Sequence, residues 1–326
     1  MIIKIQKKYY LRLILFFILL GICSLFIGHL YSSYFNKAKT VVVEDAFNRN
    51  VKFIGPPRRV VCLVPSLTDI IFSLGLGRKI IGVSEFCDLS SYKVAKLPQF
   101  NLYDKSEIKK DEIEGIVNLK PDIVFLWVTV GGIADSDMII QVIEHFEKEN
   151  IMVLIFKTPK NIEEIFQQIK LLGDVFSREE RAEKLINKMK SGIEQATAKT
   201  RELIEPKRLR VYVEIQENPI ITLGGDNYFN QILELAGGKN IFEEKEGWPV
   251  VMPNEVIIKD PEVILFYKWE SFKYEILKRE NWQGISAVKE GRIYELDAYF
   301  LKRYGPGIVE GLRNLVRLLH PELFTN

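Results

Sequence analysis

One phrase occurs twice in this chain, about 140 residues apart. Residues 118–127 read Asn-Leu-Lys-Pro-Asp-Ile-Val-Phe-Leu-Trp, and residues 258–269 read Ile-Lys-Asp-Pro-Glu-Val-Ile-Leu-Phe-Tyr-Lys-Trp. Each proline ends a helix because it lacks an N–H and restricts the residue before it. The apolar run that follows is typical of a parallel strand buried on both faces. The repeat therefore predicts two similar α/β units, with Trp127 and Trp269 at the carboxyl ends of strands, where open α/β sheets bind ligands.

The length of 326 residues suits two domains of ordinary size. Residues 1–40 contain six Lys and Arg residues and no acid, which leaves 39 of the 45 basic residues against 43 acidic ones in the remainder. The folded part therefore carries a net charge of about −4. A nucleic-acid-binding protein needs a basic face for phosphate contacts, so that class is not expected.

Cysteine and histidine are both rare in the sequence. The three cysteines, at positions 23, 62 and 87, form neither a disulfide framework nor a CxxC metal motif. A bridge between Cys62 and Cys87 would need their Cα atoms within about 7 Å; buried free thiols are the alternative. With three histidines, at positions 29, 145 and 320, a transition-metal site is not expected, and no cofactor is expected either.

The amino terminus predicts a membrane segment. Four basic residues precede an uncharged run over residues 13–30, about 27 Å long as a helix at roughly 1.5 Å per residue, against a hydrocarbon core of about 30 Å. Basic residues stay on the cytoplasmic side, so the remainder is expected outside. The stretch ending at Cys23 also hints at a lipoprotein signal, although bulky Ile22 stands where a small residue is wanted. No Ala-x-Ala cleavage site follows. An uncleaved anchor, lipidation and ordinary cleavage therefore stay open.

The rest of the chain divides into three predicted parts. After a tether that ends near residue 40, strands and helices alternate over residues 41–160, beginning with a strand at 58–64 and a helix at 69–74 for which Ser66 or Thr68 is the predicted N-cap. Residues 161–206 lack strand signals, and Gly173 and Ser177 divide them into a shorter helix and a longer one, about 178–204, that could bridge two lobes. A second alternation fills residues 207–326.

Several motifs taken together resemble the substrate-binding proteins of ABC importers for cobalamin and ferric siderophores. Their order and spacing are more specific than any one of them. The matching stretches run from about residue 41 to 322 and include residues 59–69 (Arg-Val-Val-Cys-Leu-Val-Pro-Ser-Leu-Thr-Asp), 74–77 (Leu-Gly-Leu-Gly), 82–88 (Gly-Val-Ser-Glu-Phe-Cys-Asp), 235–242 (Leu-Ala-Gly-Gly-Lys-Asn-Ile-Phe) and 305–312 (Gly-Pro-Gly-Ile-Val-Glu-Gly-Leu).

The resemblance implies two Rossmann-like lobes joined by one long helix, with a ligand cleft between the lobes and no catalysis. Pro65, Ser66 and residues 82–88 look most like the cobalamin branch of the family, although Leu89 and Ser90 replace the Tyr-Pro that is common there. The implied ligand is cobalamin, with a ferric siderophore or haem as the alternative. The implied partners are a permease and its ATPase subunits, and the chain is expected to be a monomer.

The predicted cleft residues are mostly aromatic. By resemblance Trp127 and Trp248 face the ligand, and Arg303 meets an amide, carboxylate or phosphate of the ligand in fork geometry. Large aromatics suit the broad, partly apolar corrin disc. A core position for Trp127 and a surface or helix-capping position for Arg303 are the structural alternatives. The remaining candidates are Trp269, Tyr228 and Phe229, besides Pro65 and Ser66. Trp282 is expected to be structural.

The resemblance also implies that two acidic residues, one from each lobe, dock the protein to the permease. The first-lobe pattern places Asp135 there, one methylene shorter than the usual glutamate. In the second lobe Asn254 occupies the expected position, and Glu255 is its neighbour. Glu255 could serve in docking, but an acid at a helix start is also stabilised by the helix dipole.

Two other function classes are less well supported. A dinucleotide-binding enzyme would need a glycine-rich loop that joins a strand to a helix, whereas residues 74–77 end a helix. Only two histidines lie outside the apolar segment, and no catalytic set of nucleophile, base and orienting group can be assembled with them. A sensory or structural ectodomain on a membrane anchor is the second alternative.

Overall fold

The computed structural model describes residues 18–27, 39–87, 96–104, 107–128, 136–203, 207–267, 276–296 and 304–324. The chain divides into two compact units: one contains Met1–Val42 with Lys52–Gly55, and the other contains Val43–Val51 with Pro56–Asn326. The first unit includes a described helix, α1, at residues 18–27. The second unit contains all the elements discussed below from Pro56 onward.

The strands in chain order are β1 (Thr40–Glu44), β2 (Asn50–Ile54), β3 (Val60–Cys62), β4 (Ile80–Ser84), β5 (Gln99–Phe100), β6 (Tyr103–Asp104), β7 (Glu107–Ile108), β8 (Ile123–Val128), β9 (Met152–Lys157), β10 (Leu209–Gln216), β11 (Ile221–Thr222), β12 (Gly238–Asn240), β13 (Val263–Tyr267) and β14 (Ile293–Leu296). The helices after α1 are α2 (Pro65–Ser73), α3 (Lys110–Asn118), α4 (Ser136–Lys148), α5 (Ile162–Val175), α6 (Glu179–Thr197), α7 (Tyr228–Leu235), α8 (Pro253–Lys259), α9 (Ser286–Lys289) and α10 (Ile308–Leu319). Short 3-10 turns lie at Gly77–Lys79, Trp282–Gly284 and Pro321–Phe324.

The first sheet has the order β5-β4-β3-β8-β9 among the described strands, and all its pairings are parallel. The chain leaves β3 in one direction to form β4 and β5 and then returns to the other side of β3 as β8. The carboxyl ends of β3 and β8 therefore form a topological switch point, where such sheets bind ligands. A core cluster that includes Val61, Val124 and Phe146 packs the helices onto the sheet.

The second sheet repeats this arrangement with β12 beside β10, β13 on the other side of β10, and β14 at the edge. These pairings are parallel, whereas β11 adds to β10 in the antiparallel direction. The switch point lies between β10 and β13. Trp282 is fully buried in the core of this sheet with Tyr212 and Phe242, which confirms its expected structural role.

The first copy of the repeated phrase links the amino ends of two neighbouring strands of the first sheet, β3 and β8. Helix α3 ends just before Pro121, and Lys120 adopts left-handed backbone geometry with φ 49°. The Lys120 carbonyl accepts a hydrogen bond from Arg59 Nε at 3.0 Å. Asp122 accepts the Arg59 backbone N–H at 2.8 Å and donates its own N–H to the Arg59 carbonyl at 2.8 Å. The proline and the acid therefore join the start of β8 to the start of β3.

The second copy builds the same unit. Asp260, with φ 41°, ends α8, and its carbonyl accepts hydrogen bonds from Arg210 Nε and Nη2 at 3.0 and 2.9 Å. Glu262 accepts the Arg210 backbone N–H at 3.0 Å and donates its own N–H to the Arg210 carbonyl at 2.8 Å. The prediction of two similar α/β units from the repeat is confirmed. We call each arginine, proline and acid set a strand-start unit.

Helices α5 and α6 follow the predicted division of residues 161–206. The break has the expected cause, since Ser177 has φ 52° and Gly173 lets the two helices approach closely. A Cβ at Gly173 would lie 2.6 Å from the Ala182 Cβ. Helix α6 ends at Thr197 rather than near 204. The domain boundaries at 160 and 207 stay a prediction.

The predicted N-cap of α2 is wrong. The helix begins at Pro65, so Ser66 and Thr68 lie inside it, and the N-cap position belongs to Val64. Proline favours the first helical position and extended geometry in the residue before it, and Val64 is extended with φ −117° and ψ 104°. The Thr68 hydroxyl instead donates to the Val64 carbonyl at 3.2 Å.

Of the predicted membrane helix over residues 13–30, the structure describes residues 18–27, which form α1; the rest lies outside the described residues. Within the described part of the chain, no helix is both long and apolar enough to cross a membrane.

Candidate ligand-binding site

The first-sheet switch point brings together Pro65, Ser66 and Trp127. Leu63, which follows β3, donates its N–H to the Phe125 carbonyl of β8 at 3.0 Å, so the two strand ends lie side by side. Pro65 and Ser66 then form the first turn of α2, where Pro65 is half-buried and Ser66 is buried. Trp127 is the next-to-last residue of β8 and pairs in register with Phe156 of β9. Its half-buried side chain is accessible at this end of the sheet.

Tyr304 connects Trp127 to Tyr228. Its ring centroid lies 5.8 Å from that of Trp127 with an interplanar angle of 53°, and 4.6 Å from that of Tyr228 with an angle of 68°. Tyr228 is the first residue of α7, which packs on the second sheet. Burial raises the pKa of both phenols, so both rings are neutral at physiological pH. The contacts form a continuous aromatic cluster, Trp127–Tyr304–Tyr228, between elements of the two sheets.

Gly305, the residue after Tyr304, lies against the start of α2. A Cβ at this position would lie 3.4 Å from the Ser66 carbonyl oxygen and 3.5 Å from Ile70 Cγ1. The two-residue segment 304–305 therefore touches Ser66, Trp127 and Tyr228, all of which the sequence singles out. Sequence reasoning missed Tyr304 because its only signal was its place beside Arg303. Three predicted site residues lie outside the described residues, namely Arg303, Trp269 and Asp135.

Phe229 and Tyr228 differ in their relation to the site. Asn227 caps α7 by accepting the Phe229 N–H at 2.9 Å. Phe229 is fully buried, so it supports the wall from behind and does not form its surface. Tyr228 is 2% exposed and contributes through its contact with Tyr304.

Trp248 lies on an extended segment beside β11. Hydrogen bonds from Thr222 N–H to the Pro249 carbonyl and from Val251 N–H to the Ile220 carbonyl, both 3.0 Å, hold this segment antiparallel. Side chains alternate along an extended chain, so Trp248, Val250 and Met252 share the exposed face and are 38%, 58% and 65% exposed. Trp248 is therefore accessible, as a ligand-binding residue must be.

A buried ion pair occupies the switch point of the second sheet. Glu214, near the end of β10, is opposite Phe266 of β13. Arg279 donates to both carboxylate oxygens of Glu214 at 2.6 and 2.7 Å, and the Tyr212 hydroxyl donates to Glu214 at 2.9 Å. The guanidinium also lies 4.6 Å from the Trp282 ring. The sequence indicated Glu214 as a strand residue and as part of the family resemblance but not as a site residue, although an acid between apolar strand residues was a signal of burial.

Glu255 is engaged by its own helix. Its carboxylate accepts the Met252 N–H at 2.8 Å at the start of α8 and lies 3.0 Å from Lys245 Nζ. These interactions, with the Met252 N–H first, lower the pKa of Glu255. The geometry is that of a helix-capping acid, while the neighbouring Asn254 is exposed. A docking role for Glu255 would require it to exchange these partners.

Cys62 and Cys87 are free thiols, and both are buried. The structure therefore has two buried free thiols here and no Cys62–Cys87 disulfide. Cys62 Sγ donates to the Val64 carbonyl at 3.4 Å, and Cys87 Sγ lies 3.7 Å from the Thr68 hydroxyl. Within the described residues, His, Cys, Asp and Glu side chains form no cluster that could hold a metal ion.

Comparison with known proteins places this architecture in one family. A family model described as a periplasmic binding protein matches residues 60–300. An uncharacterized ABC transporter substrate-binding lipoprotein of Bacillus subtilis, YvrC, is 29% identical over 289 residues, which are 87% of each chain. A vitamin B12-binding protein of Vibrio vulnificus is 28% identical over 252 residues, 77% of this chain and 86% of that protein.

A solved structure gives the same result. The crystal structure of a possible iron-binding (periplasmic solute-binding) protein from Staphylococcus epidermidis has a TM-score of 0.69 and 28% identity, covering 81% of this chain and 99% of that one. The resemblance drawn from the sequence motifs is confirmed. Because the family model spans most of the chain, this protein belongs to the periplasmic binding protein family.

Proposed function

We propose that this chain is the extracytoplasmic substrate-binding component of an ABC importer, and that it captures cobalamin or a related corrinoid and delivers it to the membrane permease. The observation that carries the proposal is the half-buried Trp127 indole at the first-sheet switch point, backed by the buried rings of Tyr304 and Tyr228. Aromatic side chains give a large contact area at low entropic cost, which suits the broad, partly apolar corrin. The vitamin B12-binding relative supports this ligand.

Two lobes, at residues 41–160 and 207–326, are joined through residues 161–206 in this proposal. The separate sheets and the consecutive helices α5 and α6 support that division. The ligand enters between the lobes, where Pro65, Ser66, Trp127 and Trp248 contact it and Arg303 binds a polar group at its edge. The chain acts as a monomer, without catalysis, beside a permease and its ATPase subunits.

A ferric siderophore or haem is the second candidate ligand. The relative from Staphylococcus epidermidis, described as possibly iron-binding, favours it. Anionic siderophores are best met by several arginines, because guanidinium groups pair with carboxylates in fork geometry. The described side chains around Trp127 are instead aromatic, and this favours cobalamin.

Membrane attachment is part of the proposal. The relative from Bacillus subtilis is described as a lipoprotein, which supports attachment at the outer face of the cytoplasmic membrane. The sequence offers two routes, an uncleaved apolar segment over residues 13–30 and lipidation of Cys23. A Cys23→Ala protein that leaves the membrane fraction would support lipidation, whereas one that stays there at full length would support the uncleaved segment.

The proposed function is tested by titrating the full-length protein in detergent with cyanocobalamin, ferric siderophores and haem. Tryptophan fluorescence and calorimetry report binding, and empty micelles provide the blank. One-to-one binding of cobalamin supports the proposal. A response only to a siderophore or haem would replace the ligand and keep the transport role. No binding to any of them would refute the proposal and favour the sensory or structural alternative.

A further inference from the structure

We propose that Tyr304 is a positioning residue that fixes the orientation of the Trp127 indole for a flat ligand face. This inference rests on the proposed binding function, because Trp127 is the residue assumed to meet the ligand. Tyr304 is 5% exposed, and its ring lies between Trp127 and Tyr228. A ring held on two sides by aromatic neighbours cannot turn freely, so it presents a constant surface to the indole.

The backbone on both sides of this contact is fixed. Trp127 pairs in register with Phe156, so its main chain cannot shift independently of the first sheet. Gly305 lies against Ser66 and Ile70, and its carbonyl accepts the Ile308 N–H at 3.1 Å at the start of α10. Tyr304 restricts the orientation of the indole about its own side-chain bonds.

Helix α10, which begins four residues after Tyr304, makes a close contact with α6. A Cβ at Gly192 of α6 would lie 2.5 Å from Val309 Cγ1, so the two helices approach at a position that admits no larger side chain. Val309 follows Tyr304 by only five residues. The start of α10 is thus packed on α6 close after Tyr304, whose ring contacts Tyr228 on one side and Trp127 on the other.

A preoriented indole favours planar ligands. Ordering a free side chain on binding weakens affinity by about two- to tenfold, and this loss is avoided when the side chain is already fixed. A flat macrocycle gains most, because its face must be parallel to the indole over a large area. A compact ferric siderophore has no extended flat face and gains less. Tyr304 therefore contributes to specificity without contacting the ligand.

The test uses the full-length protein labelled with 5-fluorotryptophan, whose four tryptophans give four fluorine resonances. Trp127→Phe identifies the Trp127 resonance. Without ligand, Tyr304→Leu should shift or broaden that resonance, leave the Trp282 resonance in place, and weaken cobalamin binding about three- to tenfold. Tyr304→Phe should preserve both the resonance and the affinity, because it keeps the ring. Tyr294→Leu, at a half-buried tyrosine of β14, is the matched control and should change neither.

An unchanged Trp127 resonance in Tyr304→Leu would overturn the proposal, as would a changed resonance with unchanged cobalamin affinity. If Tyr304→Leu does not fold, Tyr304→Met provides the same comparison with a flexible side chain of similar length. If the unsubstituted protein binds none of the ligands, the proposed function fails, and the spectra still decide whether Tyr304 orients Trp127.

Discussion

Arg279 and Glu214 form a bidentate ion pair, in which Nη1 donates to Oε2 at 2.6 Å and Nη2 donates to Oε1 at 2.7 Å. Glu214 is 1% exposed and Arg279 is 13% exposed, so the pair is withdrawn from water. It occupies the switch point of the second sheet, which in the first sheet carries Trp127. Because Arg279 also lies against the Trp282 ring, the pair connects the end of β10 to the segment that leads into Trp282.

Arg279→Met should strongly destabilise the protein. Glu214 would remain buried without its cation, and breaking a buried ion pair in this way costs about 3–5 kcal/mol. Urea unfolding measures the loss. Arg313→Met is the matched control, because Arg313 pairs with Glu310 at 3.5 Å on an exposed surface and such pairs contribute about 1 kcal/mol or less. The double substitution Glu214→Leu with Arg279→Met should recover most of the stability, and equal stability of Arg279→Met and the unsubstituted protein would contradict this role.

Trp127→Ala should weaken ligand binding. The expected loss is about 1–3 kcal/mol, on the scale of burying one large apolar side chain. Calorimetric titration measures it with whichever ligand binds. Trp282→Phe is the control, because Trp282 is buried in the second-sheet core and should alter stability without altering affinity. Unchanged affinity of Trp127→Ala would remove Trp127 from the site.

Asp135→Ala should leave ligand affinity intact and lower uptake by the assembled transporter, if Asp135 is the docking acid of the first lobe. Glu255→Gln provides the comparison in the second lobe. Glu255 caps α8 and pairs with Lys245, so its substitution should lower stability and leave uptake by the folded protein nearly unchanged. Normal transport by Asp135→Ala would exclude its docking role, and loss of transport by a stable Glu255→Gln protein would restore a docking role for Glu255.

Cys62 should resist alkylation in the folded protein. Burial raises its pKa from 9.0 to about 12, so the reactive thiolate is scarce at pH 8.5. A raised thiol pKa gives a stability contribution that is complete below pH 9 and is lost as the pH rises towards 12, because the unfolded chain ionises first. The stability advantage over Cys62→Ala should therefore shrink between pH 8 and pH 11 in urea unfolding. Equal alkylation rates for folded and unfolded protein would show that Cys62 is accessible.

Much of the fold follows from local patterns. The repeated proline and acid predicted both sheets, because backbone restriction by proline and burial of apolar runs are properties of the residues themselves. The break between α5 and α6 was likewise visible in Gly173 and Ser177. The N-cap of α2 was predicted wrongly, because Ser66 and Thr68 were given priority over Pro65, whose fixed backbone starts the helix earlier.

The candidate site was less predictable. The resemblance placed Trp127 and Tyr228 in one cleft, but the sequence did not show that Tyr304 connects them, because that contact depends on where residue 304 returns between elements separated by more than 70 residues. The pairing of Glu214 with Arg279 was hidden in the same way, by a separation of 65 positions. Contacts of this kind arise from chain topology, and one sequence read locally does not contain them.

The two strand-start units separate the protein's architecture from its ligand chemistry. Arg59 with Asp122, and Arg210 with Glu262, secure the amino ends of the strands, whereas Pro65, Ser66 and Trp127 lie at the carboxyl ends in the first sheet. Substitutions that change the ligand can therefore accumulate at the carboxyl ends of the strands, while the contacts at the amino ends preserve the strand order. A family with this arrangement can change its ligand without changing its fold.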